Sequence, residues 1–477
     1  MLARSWLADL RSRLGAGARA DGLGILAFEA AATMSRLVSL HRTLSDAEFR
    51  RLRADVLRAE GVARLTSPDQ SLLLRLACAE LVADLDRAAA AVVRLGARCR
   101  AVAEAPLLRD FDRLYADAKR GRLAQLDATA GFSRGAGKRF RKMERHVAAA
   151  AKLYEEMDVL RELEASERRM EQWKQHSGPI PSQAAAPGKK PAAAEPGEKL
   201  MRELRAQRHK VRRLIEGSLW SVDAGRAAKL MVKSVLAVLA RISIAFGAFV
   251  PGLPSLAVAR AWPLGHSSGP LHRSAAPGAA IRHSAPIFGR KDPATSVLEP
   301  IKPSASTLGG SGMELRYANV ILPAETLLAA LRLPATAGDS KEVQQEGMVD
   351  LSKRDGLYRM LPMSIRDAVN AKLRESWRGQ AAVDEQVAAA SRGEVEAVLR
   401  WLGPVAHDTV RWSDERSMER AQRFSMQPRA LMVQTLHFAD RRKADAAIVD
   451  VLVGLSCACW YDDERLRLES LDGWDDE

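Results

Sequence analysis

Aromatic residues make up only 5% of this 477-residue chain, and runs of valine, isoleucine, threonine and aromatics at period two are scarce. Strands draw on those residue types, so the shortage counts against an all-β or doubly wound fold. Cysteine is scarcer still. Cys78, Cys99, Cys457 and Cys459 are the four present, with no CxxC pair and no secretory signal before them. A disulfide framework is not expected, and a reducing compartment fits better. Leu2 follows Met1, so the N-myristoylation pattern is missing. No uncharged run reaches the roughly 20 residues of a membrane span. The most apolar stretch, 227–250, is interrupted by Lys233 and Arg241. It reads as a buried core helix with two snorkelling cations, and no transmembrane span is expected.

What is abundant points one way. Hydrophobic residues are 47% of the chain, and Ala, Leu and Arg dominate. These residues lose little side-chain entropy in a helix. Prolines gather in two stretches, five in 177–198 and nine in 251–306, together 14 of the 21 present. Proline removes a donor and clashes inside a helix, so both stretches read as disordered Pro/Ala/Gly-rich linkers. The expected architecture is all-α, with multi-helix bundles joined by these linkers. Its parts are an amphipathic, flexible segment at 1–20, a helical domain at 21–176 with a long helical hairpin, and a central helical pair at 199–250 packing on the rest. A C-terminal helical domain at 307–461 and an acidic tail at 462–477 complete it. No repeat of 20–50 residues is visible, so a solenoid is not favoured.

Local signals refine this outline. Ile25, Phe28, Ala32, Leu37 and Leu40 recur at helical spacing. Ser45 to Glu48 forms a capping-box pattern, and Ser67 to Gln70 a second with Pro68 at the first helical position. A long Ala/Leu helix covers 72–97. After Gly131 another long helix carries Phe140, Met143, Val147, Ala150, Tyr154 and Met157, then shifts register to Leu160, Leu163, Met170 and Trp173. That stutter predicts a helical hairpin or a brief coiled coil. Asp223 is the expected cap of the apolar helix after it. Further helices are expected at 315–331, 365–377, 393–402, 425–439 and 443–460.

Candidate chemistry fails on named residues. Gly309, Gly310 and Gly312 suggest a phosphate loop, yet no Lys-Ser or Lys-Thr follows and no strand precedes. They read as a tight turn into a helix. The 131–138 run has Walker-type glycines one residue too far apart, and Arg139 stands where a magnesium-binding hydroxyl belongs. The nine histidines are scattered, and Cys457 and Cys459 point to different sides of a helix. No catalytic, cofactor-binding or metal residue is assigned. His407, Asp408, Arg411 and Trp412 form a dense polar cluster that reads as an ion-pair and cap network.

Charge is the stronger signal. The net charge is +14, and it is patchy. Segment 134–146 holds six cations against Glu144, and 199–213 holds seven against Glu203. By contrast, 461–477 carries eight acids and two arginines. Lys138, Arg139, Arg141, Lys142 and Arg145 form a candidate nuclear-import or acidic-partner patch. Arg202, Arg205 and Arg212 form a candidate phosphate or lipid face. No aromatic stacking platform accompanies them, so sequence-specific nucleic-acid reading is not expected.

A set of ordered blocks carries a resemblance. GILAFEAAATMSRLV (24–38), LSD (44–46), Glu60-Gly61 and LRLACAEL (74–81) lie in the first domain. KMER (142–145) and SLW (218–220) follow, then TLGGSG (307–312) with Tyr317 and Asn319 in YANV (317–320). LYRMLP (357–362), WLGPVAH (401–407), Arg411-Trp412, QTLHFAD (434–440) and VGL (453–455) complete the order. The chain resembles the plant phytosulfokine-simulator family, in its shorter branch without a myristoylation signal. The resemblance implies two plant-specific domains of unknown biochemical function and no known catalytic residues. It also implies a helical interaction protein promoting growth in phytosulfokine peptide signalling, located in the nucleus, with other proteins as partners. Cytoplasmic or peripheral-membrane placement, as an adaptor on anionic lipid, is the alternative.

Overall fold

A computed structural model describes residues 20–98, 110–176, 196–218, 224–254, 301–331, 351–377, 385–416 and 423–472. Among them no strand forms, and the one β-type contact is an isolated bridge between Thr307 and Asp440. The fold is all-α, as expected. Residues 1–19, most of both proline-rich stretches and the expected Asp223 cap lie outside the described residues.

The first half builds one core. Helix α1 (Ala20–Thr43) leads to α2 (Asp46–Arg51), a π turn (Leu52–Val56) and α3 (Glu60–Leu65). Ser45 caps α2, its hydroxyl accepting the Glu48 N–H at 3.4 Å. Helix α4 (Gln70–Arg98) starts later than the second capping box predicts. Asp69 accepts the Ser71 N–H at 2.9 Å, while Ser67 turns to the Asp69 N–H at 3.1 Å. Pro68 therefore lies before the helix, because the nearer carboxylate outcompetes the hydroxyl as cap. Helices α5 (Phe111–Asp117) and α6 (Leu123–Ala130) flank a π turn (Ala118–Arg122), and α6 ends on left-handed Gly131. Then come α7 (Ala136–His176), α8 (Pro196–Glu216) and α9 (Ala224–Phe246). Pro196 opens α8 at the end of a stretch expected to be linker, in the one helical position that tolerates a missing donor.

Helix α9 is the centre of this core. Met231, Val235, Val238, Leu239 and Ile242 are fully buried against α1, α4 and the first half of α7. Each such side chain contributes about 1.5–3 kcal/mol of transfer free energy. Its two cations do not snorkel to water as expected. Lys233 donates to the Ala130 carbonyl at 2.9 Å, and Arg241 donates to the Leu44 carbonyl at 2.9 Å and to Asp46. Both satisfy carbonyls left over beside helix ends, which a buried helix terminus requires. Farther along α7, Leu153 and Leu160 pack on Leu204 and Val211 of α8 in a small separate cluster.

The second half builds another core from α10 (Leu308–Ser311), α11 (Glu314–Ala330), α12 (Leu351–Met360), α13 (Met363–Trp377), α14 (Glu385–Arg416) and α15 (Arg441–Asp472). Leu65 of α3 also enters it. Helix α14 extends well beyond the expected 393–402, running through Pro404. Segment 425–439, expected to be helical, is instead an extended strap with two short 3-10 turns, Met432–Gln434 and Leu436–Phe438. Its polar groups find better partners on α1 and α4 than a helix of its own would offer. Arg441–Tyr461 of α15 has the length and composition to cross a membrane, and 56% of its apolar window is buried inside the protein.

Candidate functional site

The densest polar chemistry lies where the two cores meet. Glu80 sits on α4 between Ala79 and Leu81, and its side chain is 1% exposed. One carboxylate oxygen accepts from Arg416 at the end of α14, at 2.6 Å. The other accepts the Met432 N–H of the strap, also at 2.6 Å. Arg416 donates further to the Ala430 carbonyl at 3.2 Å and lies over the Trp412 ring at 4.7 Å. Glu415 takes the Ala430 N–H at 2.6 Å. The Trp412 indole N–H turns towards Glu80, short of a full hydrogen bond. Burial pushes the Glu80 carboxyl up to about 7, against the pull of Arg416, and neighbouring Asp84 adds to the rise. Asp84 is itself buried and pairs with Arg87. Burial holds Arg36 and Arg429, which share this field, below their ordinary values.

Helix α1 reads the backbone of the same strap. Ser35 donates to the Ser425 carbonyl at 2.5 Å, Ser39 to Gln427 at 2.6 Å, and Arg42 to Met426 at 3.1 Å. These donors are four and three residues apart, so they form one line along the helix. Ser35 is 0% and Ser39 2% exposed. Arg42 also pairs with Glu144 of α7 at 2.8 Å.

The expected polar cluster is divided by the fold. His407 is exposed and pairs across to Glu325 of α11, Nε2 to Oε2 at 2.8 Å. Asp408 and Arg411 pair at 3.0 Å, and Arg411 reaches Glu415 at 3.6 Å. Burial raises the Asp408 carboxyl, opposed by Arg411 and a hydrogen bond to Gln434. Trp412 tilts against His437 at 5.7 Å between ring centroids. The cluster is thus an ion-pair chain leading into the Glu80 junction. Among the described residues no group of three or more His, Cys, Asp and Glu is placed to hold a metal ion.

The glycine loop is a packing device. Thr307 caps α10, accepting the Gly310 N–H at 3.2 Å, and Gly312 closes the turn at φ 66°. A Cβ on Gly309 would lie 2.4 Å from the His437 ring, and one on Gly310 would lie 1.9 Å from the Ser304 carbonyl. The loop is pinned to the strap's far end by Leu308 N–H to Ala439 at 3.0 Å, and Asp440 N–H reaches Leu65 at 2.9 Å. His437 lies 3.4 Å from Glu314. Burial works against ionisation of Glu314, but hydrogen bonds from His437 and from its own backbone hold it below the usual carboxylate range. Tyr317 is buried with its hydroxyl on Asp445 at 2.5 Å, and Asn319 is exposed.

The basic patches lie apart from this junction. On α7, Lys138, Arg141 and Arg145 are exposed and Lys142 half-buried. Arg139 does not join them: it bends back to the Phe132 and Arg134 carbonyls and holds the turn before α7. Arg202, Arg205 and Arg212 are exposed along α8, whose Arg208 and Lys210 pair with α7 glutamates. The junction residues Ser35, Ser39, Arg42 and Glu80 were not singled out by sequence reasoning. A charged residue inside an apolar helix, as Glu80 is, was the available signal, since it is almost never buried unpaired.

Comparison with known proteins matches both halves. Residues 25–81 match a domain of unknown function (DUF3475), and 307–411 match a protein family of unknown function (DUF668). Ser35, Ser39, Arg42 and Glu80 all fall in the first, while the strap lies outside both. Fold and junction therefore define an all-helical, two-core protein with one such domain in each half. The chain is 27% identical to protein PSK SIMULATOR 1 of Arabidopsis thaliana over 452 residues, 92% of this chain and 56% of that protein. It is 26% identical to PSK SIMULATOR 3 over 454 residues, 92% and 57% of the two chains, and 22% identical to PSK SIMULATOR 2 over 449 residues, 92% and 60%. The similarity to all three PSK SIMULATOR proteins runs along 92% of this chain and supports the PSK simulator family, and the chain spans a little over half the length of these relatives. No solved structure matches it.

Proposed function

We propose that the protein is a non-enzymatic helical regulator that promotes plant growth in phytosulfokine peptide-hormone signalling by binding other proteins. One observation carries this reading. The side chains that chemistry would recruit, Glu80, Asp408, Arg411, Arg416 and His437, are engaged with one another and with backbone where the two cores meet. The cations of α7 face solvent instead. The relatives' names supply the signalling setting, and the α7 cations suit entry to the nucleus or an acidic partner. The test is growth rescue in plants lacking the protein, scored with and without added phytosulfokine. Full rescue by a chain with Glu at Lys138, Arg141, Lys142 and Arg145 would remove the patch from the function. A fluorescent fusion of the same variant that still enters the nucleus would remove the import role.

A second reading rests on Arg202, Arg205 and Arg212, exposed along one side of α8 with His209 between them. Near an anionic bilayer each cation contributes about 1 kcal/mol, so this face suits a peripheral adaptor. Flotation with phosphatidylserine vesicles that ignores salt and acidic lipid would sink it.

A further inference from the structure

The strap is seated on the first core as a bound peptide would be. From Arg423 to Ala430 it makes no backbone–backbone hydrogen bond among the described residues. Its polar backbone is read by side chains instead: Ser35, Ser39 and Arg42 take three consecutive carbonyls, and Glu80 takes the Met432 N–H. Its apolar side chains enter the first core in two places. Phe424 and Met426 pack at its start, Phe424 against Phe28 and Tyr154 at 6.2 and 5.8 Å between centroids. Leu431 and Val433 are buried farther on. Main-chain bonds that give affinity, with pockets for alternate side chains that give specificity, are the physics of extended-peptide recognition. These four residues belong to α1 and α4, far from the strap in sequence, while Glu415 and Arg416 of α14 hold the Ala430 N–H and carbonyl between them at 2.6 and 3.2 Å.

We propose that the α1–α4 face is a peptide-recognition groove, which the chain's own strap fills and from which a partner's extended segment displaces it. The partner segment has two apolar anchors two residues apart, a second such pair five residues on, and a free N–H to meet Glu80. A segment fastened only by side chains opens at lower cost than the helices beneath it. The occupant in place lowers the apparent affinity of any competitor by the fraction of time the groove is open. This rests on the reading of the chain as a protein-binding regulator. Its test uses purified protein alone, so its failure leaves the growth role standing.

The test uses the full chain with Phe424→Ser, Met426→Ser and Leu431→Ser, which empties the groove and leaves its walls untouched. A fluorescent synthetic peptide with the native sequence of 423–434 is titrated and its anisotropy read. The variant binds it, and wild type binds it at least about tenfold more weakly because its own strap competes. Adding Ser39→Ala and Glu80→Gln to the variant abolishes binding. A folded variant that does not bind the peptide overturns the proposal. So does a wild-type dimer that the peptide dissolves, since a second copy would then be the occupant. If the triple variant does not fold, deuterium uptake of wild type decides. Uptake in 423–434 faster than in α4 supports an exchangeable strap, and equal uptake overturns it.

Discussion

The junction at Glu80 and the first turns of α7 are both crowded with charge, and the protein uses them in opposite ways. At the junction Glu80 is sealed from water, and Arg416 and the Met432 N–H fill both of its oxygens. On α7, Lys138, Arg141 and Arg145 stand in solvent, and the acid beside them, Glu144, is drawn off by Arg42. A buried charge holds structure because leaving it alone is costly. An exposed one contributes little to stability and remains available to a partner. The same residue types thus divide into fastening and surface according to what surrounds them.

Breaking the junction has the largest expected effect. Glu80→Ala strands Arg416 and the Met432 N–H, at a cost of about 3–5 kcal/mol in chemical denaturation. A loss below about 1 kcal/mol would mean the halves are held elsewhere. Gly309→Ala drives a methyl into the His437 ring and carbonyl, with about 1–3 kcal/mol expected from overpacking. Unchanged stability there would show that the loop yields.

Titration sharpens the contrast next. The folded Glu80 carboxyl is raised from the usual 4.5 to about 7. The protonated form is therefore favoured by folding. Its stability contribution is complete below the unfolded value, declines as pH rises towards 7, and is gone above it. Measured as the difference from Glu80→Gln, so that other groups cancel, wild type loses up to about 1.4 kcal/mol per pH unit in that window. A flat difference curve refutes a titrating Glu80.

The smallest effect belongs to the open face. Lys138→Glu with Arg141→Glu and Arg145→Glu changes stability by no more than about 0.5 kcal/mol per site. Arg139→Ala, one residue from Lys138, costs more because it frees the Phe132 and Arg134 carbonyls. Equal effects at both positions would erase the division between fastening and surface.

The helical fold was legible because its signals are local. Ser45 announced the start of α2, and Gly131 the approach to the long helix α7. The strap was not legible. QTLHFAD and the residues before it have ordinary helical content, and partners such as Ser35, Ser39 and Glu80, nearly 400 to 350 residues earlier, make an extended path preferable. The polar cluster was legible as a group, yet its division between Glu325 and the junction was not, since neighbours on a helix separate by 100° per residue.

The sequence by itself determined that the chain is helical, that its charge is patchy, and that the glycine loop lacks what phosphate binding needs. Composition, capping and proline spacing act within a few residues, so they can be read in order along the chain. Tertiary structure alone decided that Arg139 serves a turn, that Arg241 and Lys233 answer carbonyls, and that Glu80 joins the two cores. Those outcomes depend on which groups lose water together, and burial is settled only when distant segments meet.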